Sequence, residues 1–326
     1  MKKALLIGIN DYPKGNELKG CIEDINLVKA AIERNGDNTT NFDVKMMPNV
    51  KTSKDAMNAI SKLFEGEGDI SLLYFSGHGY VNNTGAEIVM PKDIEDNTQY
   101  YKGIQMSTIM KIVNNSHVRN KIIILDCCHS GNMGKYDLED SGSILNTGVS
   151  ILAACREDEV ALERGGHGIF TELLCSALNG GAADYCGNIT IGGVYAYIDR
   201  SLGPWDQRPI FKTNITEFVS LRKVEPQVEL SNIRELTNLF NNSNDIFQLD
   251  PSFEYTNDPS IEHKYIPPYA NSENIRKFKL LQKLQSIGFV KPIDAEYMYF
   301  AAMNSTGCKL TELGKYYWNL VNKRRI

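Results

Sequence analysis

The sequence predicts an α/β protein, a mainly parallel sheet with helices on both faces, followed by a small α-rich module. Three observations carry this. Through the first two thirds of the chain, short apolar runs alternate with amphipathic stretches of helical period, the pattern of strand–helix–strand units. Glycine is segregated, with 23 of 26 in residues 1–222, so the remaining third is built differently. Charge divides at the same place: residues 1–222 carry 22 basic and 28 acidic side chains, residues 223–326 carry 13 and 12. At roughly 150 residues per domain, 326 residues make about two domains. We therefore expect a first domain over 1–222, a connector over 223–272 and a C-terminal module over 273–326.

The elements follow in order. KALLIGI (3–9) suits a buried strand. Residues 21–35 place Ile22, Ile25, Val28 and Ile32 at helical spacing, with Gly36 as a C-cap. Residues 52–64 open on Thr52 and Asp55, a capping-box-like start, and carry Ala56, Ile60 and Leu63 along one face. ISLLYF (70–75), KIIILD (121–126) and VSILAA (149–154) read as further buried strands. Helices are expected near 106–114 and over 168–178 and 191–202. Five prolines and the run NNSND mark 223–272 as extended, with one helix near 231–241.

Composition excludes several classes. A formal charge of −5 does not announce a nucleic-acid binder. No apolar run approaches the roughly 20 residues that span a bilayer. The N-terminal apolar stretch is broken by Asn10 and Asp11, too early for a secretory signal. Seven cysteines, an odd number at irregular spacing without a CxxC pair, argue against a disulfide framework or a zinc site and for a reducing, cytoplasmic setting.

Chemistry in such sheets sits beyond the C-terminal strand ends. Two of those ends are loaded. One reads Tyr74-Phe75-Ser76-Gly77-His78-Gly79, the other Leu125-Asp126-Cys127-Cys128-His129-Ser130-Gly131. On neighbouring strands they bring an imidazole and a thiol to one edge. A thiolate is the attacking species, and a nearby histidine takes its proton. Each motif alone has an ordinary reading: SGHG as a turn, a strand-end cysteine as core. Together, fifty residues apart at His78 and Cys128, they match the spacing of a Cys–His peptidase.

The pair YFSGHG and LDCCHSG resembles the caspase-like cysteine peptidases, above all metacaspases and their bacterial relatives. KGCIEDINLVKAAI, SILAACREDEVALE, GGHGIFTELLCSALNG and QRPIF resemble further segments of that family, over residues 1–222. The resemblance implies Cys128 as nucleophile, His78 as base, and the backbone N–H groups of Gly79 and Cys128 as oxyanion hole. It implies an acidic pocket for the substrate's P1 side chain from Asp24 and Asp126, hence cleavage of proteins after Arg or Lys. Left to themselves, Asp24 reads as an exposed helix or capping residue and Asp126 as a turn residue. Cys127 faces the opposite way along the strand and reads as core, and His129 as structural. His117, His167 and His263 read as loop or surface residues.

No cofactor is required by this chemistry. The family brings in calcium as an optional ion, and the acidic run Asp137–Asp140 is where it would bind, although no EF-hand pattern is present. Self-processing is expected after Lys135, Arg164 or the Arg222–Lys223 pair, in segments that read as exposed.

In the C-terminal module, Ile275, Phe278, Leu281 and Leu284 fall at helical spacing and Gly288 stops the helix. Thr311 caps a last helix carrying Leu313, Tyr317 and Leu320. This is similar to a winged-helix module. With a net charge of only +1 over residues 223–326, it reads as a partner-binding or autoinhibitory part rather than a nucleic-acid reader. Two other functions compete with the peptidase: a catalytically silent caspase-like scaffold, and an adaptor acting through the C-terminal module.

Overall fold

The computed structural model describes residues 1–82, 85–94, 103–127, 145–154, 163–164, 167–203, 206, 208–258, 260 and 266–326. They divide into two compact units, Met1–Glu225 and Pro226–Ile326.

The first unit runs β1 (Lys2–Gly8), α1 (Cys21–Ile32), β2 (Asp43–Pro48), α2 (Ser53–Leu63), β3 (Ile70–Ser76), β4 (Gly79–Asn82), β5 (Gly85–Ile88), β6 (Ile104–Gln105), α3 (Met106–Asn114), β7 (Asn120–Asp126) and β8 (Val149–Ala153). It continues through the two-residue strands β9 (Glu163–Arg164) and β10 (His167–Gly168), then α4 (Ile169–Ser176), β11 (Asn188–Thr190), α5 (Ile191–Ser201), β12 (Ile210–Asn214) and β13 (Ser220–Lys223). Six strands form the central sheet in the order β12-β8-β7-β3-β1-β2. All neighbours are parallel except β12, which closes the β8 edge antiparallel.

The central strands are apolar throughout because both faces are covered. Leu5, Ile7, Leu73, Phe75, Ile123 and Leu125 pack with α2 and α3 on one side. Ala4, Leu6, Leu72, Tyr74, Ile122 and Ile124 pack with α1, α4 and α5 on the other. The alternation of odd and even positions is the strand period of two. Edge strand β2 is only partly buried, so DVKMMP lacks the apolar signature of its neighbours. Thr52 caps α2 as its sequence implies, its Oγ1 accepting the Asp55 N–H at 3.1 Å. Gly36 does not cap α1: the helix ends at Ile32, and Gly36 N–H instead donates to the Lys223 carbonyl.

The second unit takes in residues expected as connector. Short helices α6 (Leu230–Arg234) and α7 (Leu236–Leu239) and strand β14 (Ile246–Phe247) are followed by α8 (Ser272–Ser286), β15 (Val290–Pro292), α9 (Met298–Met303), β16 (Cys308–Leu310) and α10 (Glu312–Asn322). The strands make an antiparallel sheet in the order β14-β16-β15. Leu236, Phe240, Leu249 and Phe253 are buried in this unit, which is why the polar, proline-spaced stretch is structured. Asn271 and Thr311 cap α8 and α10, and Gly288, at φ +75°, ends the chain's longest described helix. Among the described residues, no helix is long and apolar enough to cross a membrane.

One close approach sets the position of α1. A Cβ placed on Gly8 would lie 2.3 Å from the Cys21 carbonyl oxygen, a backbone atom that cannot swing aside. Gly8→Val is expected to cost about 1–3 kcal/mol through overpacking, read as a lower urea midpoint at unchanged slope.

Candidate active site

The site is assembled by register. In the parallel pairs, Gly8 of β1 lies beside Ser76 of β3, and Ser76 beside Asp126 of β7, so three strands end at one level. Beyond β3 the chain turns through Gly77 and His78 into β4. Gly77 has no room for a side chain, since a Cβ would come within 2.6 Å of the Tyr12 hydroxyl. That hydroxyl accepts the His78 N–H at 2.9 Å and donates to the Val89 carbonyl at 3.0 Å, and the Tyr12 ring packs on the imidazole with centroids 4.5 Å apart. The turn carrying His78 is thereby pinned from the loop that follows β1.

His78 is half-buried, and its Nε2 lies 2.8 Å from the Asn16 carbonyl oxygen. A carbonyl only accepts, so Nε2 carries the proton and Nδ1 of the neutral ring is left as the acceptor. This is the tautomer a general base needs, oriented by a third group. Gly79 stands opposite Ile88, and Val89 N–H donates to the His78 carbonyl. In an antiparallel ladder that pattern marks Gly79 and Ile88 as a non-hydrogen-bonded pair, so the ladder does not engage the Gly79 N–H.

Below this edge, on the α1 and α4 side, two carboxylates are sunk into the protein. Asp24, in the first turn of α1, is 3% exposed and accepts the Ser76 hydroxyl at 2.8 Å. Asp126, the last residue of β7, is 8% exposed and accepts the Thr171 hydroxyl at 2.6 Å. The Thr171 oxygen is in turn 2.5 Å from the Tyr74 hydroxyl. Burial pushes the Asp126 carboxyl up to about 7; the Thr171 hydrogen bond works against that shift, and the charge of Asp24 adds to it. The surrounding thiols, Cys21 and Cys175, are pushed by burial up to about 12 and remain protonated.

The structure thus brings together His78, Gly79, Asp24 and Asp126. Asp24 is neither exposed nor a cap. Cys127 is buried on the α2 and α3 side, as its parity requires. Cys128, Cys155, His129, His263, Lys135 and the run Asp137–Asp140 lie outside the described residues; Arg164 and His167 fall in β9 and β10, and His117 is exposed. Arg222 departs from the expectation of an exposed processing site. Its guanidinium is spent on the carbonyls of Arg34 and Leu178 and on Asn179 Oδ1, which ties β13 to neighbouring elements. Among the described residues, no three His, Cys, Asp or Glu side chains gather as a metal site. Sequence reasoning missed Tyr12, the Asn16 carbonyl, Ser76, Tyr74 and Thr171. The available signal was a hydroxyl inside an otherwise apolar strand or helix, as in LLYFS and GIFTELL.

A family model described as the caspase domain matches residues 1–273. Metacaspase-7 of Arabidopsis thaliana is 27% identical over 190 residues, 53% of this chain and 45% of that protein. Metacaspase-6 of Arabidopsis thaliana is 30% identical over 151 residues, covering 40% of this chain and 39% of that one. Metacaspase-1 of Candida albicans is 28% identical over 152 residues, 40% of this chain and 34% of its own. The matches thus span less than half the length of these relatives. A Geobacter sulfurreducens protein of known crystal structure superposes with a TM-score of 0.51 at 19% identity, covering 69% of this chain and 99% of that one; at this identity the likeness speaks for the fold.

The raised Asp126 carboxyl has a consequence for stability. Between about pH 4 and about pH 7 the folded protein keeps a proton that the unfolded chain releases. Stability contributed by this group therefore falls as pH rises through that window and levels off above it. Urea unfolding across pH 4–8 is expected to show this decline in wild type relative to Asp126→Asn, whose neutral amide removes it.

Proposed function

This chain belongs to the caspase-domain family, and from that premise we propose that it is a cysteine endopeptidase that cleaves proteins after Arg or Lys. The family suggests a cysteine peptidase. The finer reading, a Cys128–His78 dyad and a basic P1 residue, is supported above all by the two buried carboxylates beneath the strand ends that carry the motifs.

The steps follow from the chemistry of those groups. The substrate's P1 guanidinium or ammonium enters over Asp24 and Asp126, where a carboxylate in a low-dielectric pocket pairs strongly with a cation. His78 Nδ1 takes the Cys128 thiol proton, and the sulfur attacks the scissile carbonyl carbon. The oxyanion is held by the N–H groups of Gly79 and Cys128. Collapse breaks the C–N bond, and the leaving amine takes the proton from His78. Water, deprotonated by His78, then attacks the thioester and releases the new carboxylate and the free thiol. Self-processing belongs to the same reading, with Lys135 and Arg164 as sites and Arg222 as the less accessible one. Calcium remains an optional ion, on aspartates outside the described residues.

A second role rests on the C-terminal unit. Tyr297, Tyr299 and Phe300 are exposed together, the Phe300 ring centroid lying 6.2 Å from that of Tyr297 and 5.3 Å from that of Tyr299, and we assign them to docking a protein partner.

A peptide reporter with Arg at P1 is expected to be cut with kcat/KM about 10²-fold or more above one with Asp at P1, since like-charge juxtaposition costs several kcal/mol. Cys128→Ala should lower kcat by at least about 10³-fold with unchanged unfolding behaviour. A silent scaffold would cut neither peptide, and preference for Asp would overturn the pocket.

A further inference from the structure

We propose that Thr171, anchored by Tyr74, is a specificity-determining positioning residue: its hydroxyl keeps Asp126 in the carboxylate form and aimed in one direction, and so sets the preference for a cationic P1 side chain. The proposal rests on the reading that Asp126 receives that side chain.

The geometry is a directional relay joining three elements. Thr171 is fully buried in α4, Tyr74 fully buried in β3, and Asp126 ends β7. The two contacts, 2.5 Å and 2.6 Å, share one threonine oxygen, which has one proton to give. When that proton goes to the anionic Asp126, the Tyr74 O–H must donate to Thr171. Burial holds the Tyr74 phenol well above its ordinary value, so this donor stays protonated at any working pH. The line of donors from Tyr74 through Thr171 then points at Asp126, and hydrogen bonds donated to the charged form favour that form.

What else faces Asp126 makes the hydroxyl decisive. Among the described residues these groups are Cys21 and Asp24 on α1, Tyr74 and Ser76 on β3, and Thr171 and Cys175 on α4. They are hydroxyls, protonated thiols and a second carboxylate. No described lysine, arginine or histidine forms an ion pair with Asp126. Burial and Asp24 both favour the neutral acid, and Thr171 acts against them. A neutral acid does not hold a guanidinium. Removing one buried hydroxyl in the first turn of α4, which touches neither His78 nor Gly79, would therefore change substrate choice rather than the chemical step.

Thr171→Val keeps the shape and deletes the hydroxyl, and Thr171→Ser keeps the hydroxyl. In the full chain, kcat/KM for a P1-Arg peptide is measured from pH 5.5 to 9. In wild type it is expected to rise through about pH 7. In Thr171→Val the rise should move up by about one pH unit, giving a loss of roughly fivefold near pH 7 and roughly tenfold below about pH 6, carried mainly by KM, that closes toward pH 9. Thr171→Ser should restore the wild-type profile. An equal loss at every pH, or an unchanged profile, overturns the proposal. The pH dependence of urea unfolding reads Asp126 without any cleavage. Its decline should extend to higher pH in Thr171→Val. If no peptide is cut by wild type, the peptidase reading fails, while this readout still decides whether Thr171 holds the charge on Asp126; an unmoved decline overturns that as well.

Discussion

Two carboxylates buried beside each other under the end of a sheet are costly, and much of the local structure answers to them. A buried ionised group is tolerated only when hydrogen-bonded or paired. Here the hydroxyls of Ser76 and Thr171 supply one bond to each carboxylate, and no described cation pairs with Asp126. On the proposed reading, the cation that meets Asp126 is the substrate's P1 side chain.

The rest of the first unit can be understood as the frame for that pocket. Parallel register aligns the ends of β1, β3 and β7, so that Ser76 and Asp126 share a level and a face. The close approach of Gly8 to Cys21 brings the first turn of α1, and with it Asp24, to the same level. Strand parity sends Phe75, Leu125 and Cys127 into one core and Tyr74, Ser76 and Asp126 toward the other side. The histidine side of the site has its own supports. The loop after β1 holds it, Tyr12 on the His78 backbone N–H and the Asn16 carbonyl on the ring, where it chooses the tautomer.

Much of this was legible in the amino-acid sequence because it is local. Apolar runs such as ISLLYF and KIIILD announce strands buried on both faces, and the strand-end motifs name His78, Gly79 and Asp126. What escaped is non-local. Strand β2 sits on an edge where half its side chains meet water, so DVKMMP has no apolar run to find. The hairpin of β4 and β5 follows a glycine-rich motif whose chemistry obscured its structure. Residues 226–258 looked like a connector because their few apolar anchors, such as Phe240 and Phe253, are separated by polar turns. Arg222 looked exposed because an arginine bonded to carbonyls distant in sequence leaves no local mark. Tyr74 and Thr171 are 97 residues apart, and no periodicity pairs them.

On the proposed reading, Asp126 is a buried carboxyl that ionises to receive a guanidinium. Carbon-13 NMR of aspartate-labelled protein, with Asp126→Asn to identify the signal, follows the Asp126 carboxyl through pH with and without saturating agmatine. The expected result is a midpoint near 7 alone, and a fall of about one unit or more with agmatine bound, because an opposite charge at contact favours the ionised form. A midpoint at the ordinary carboxylate value, or one that agmatine leaves unmoved, would contradict it.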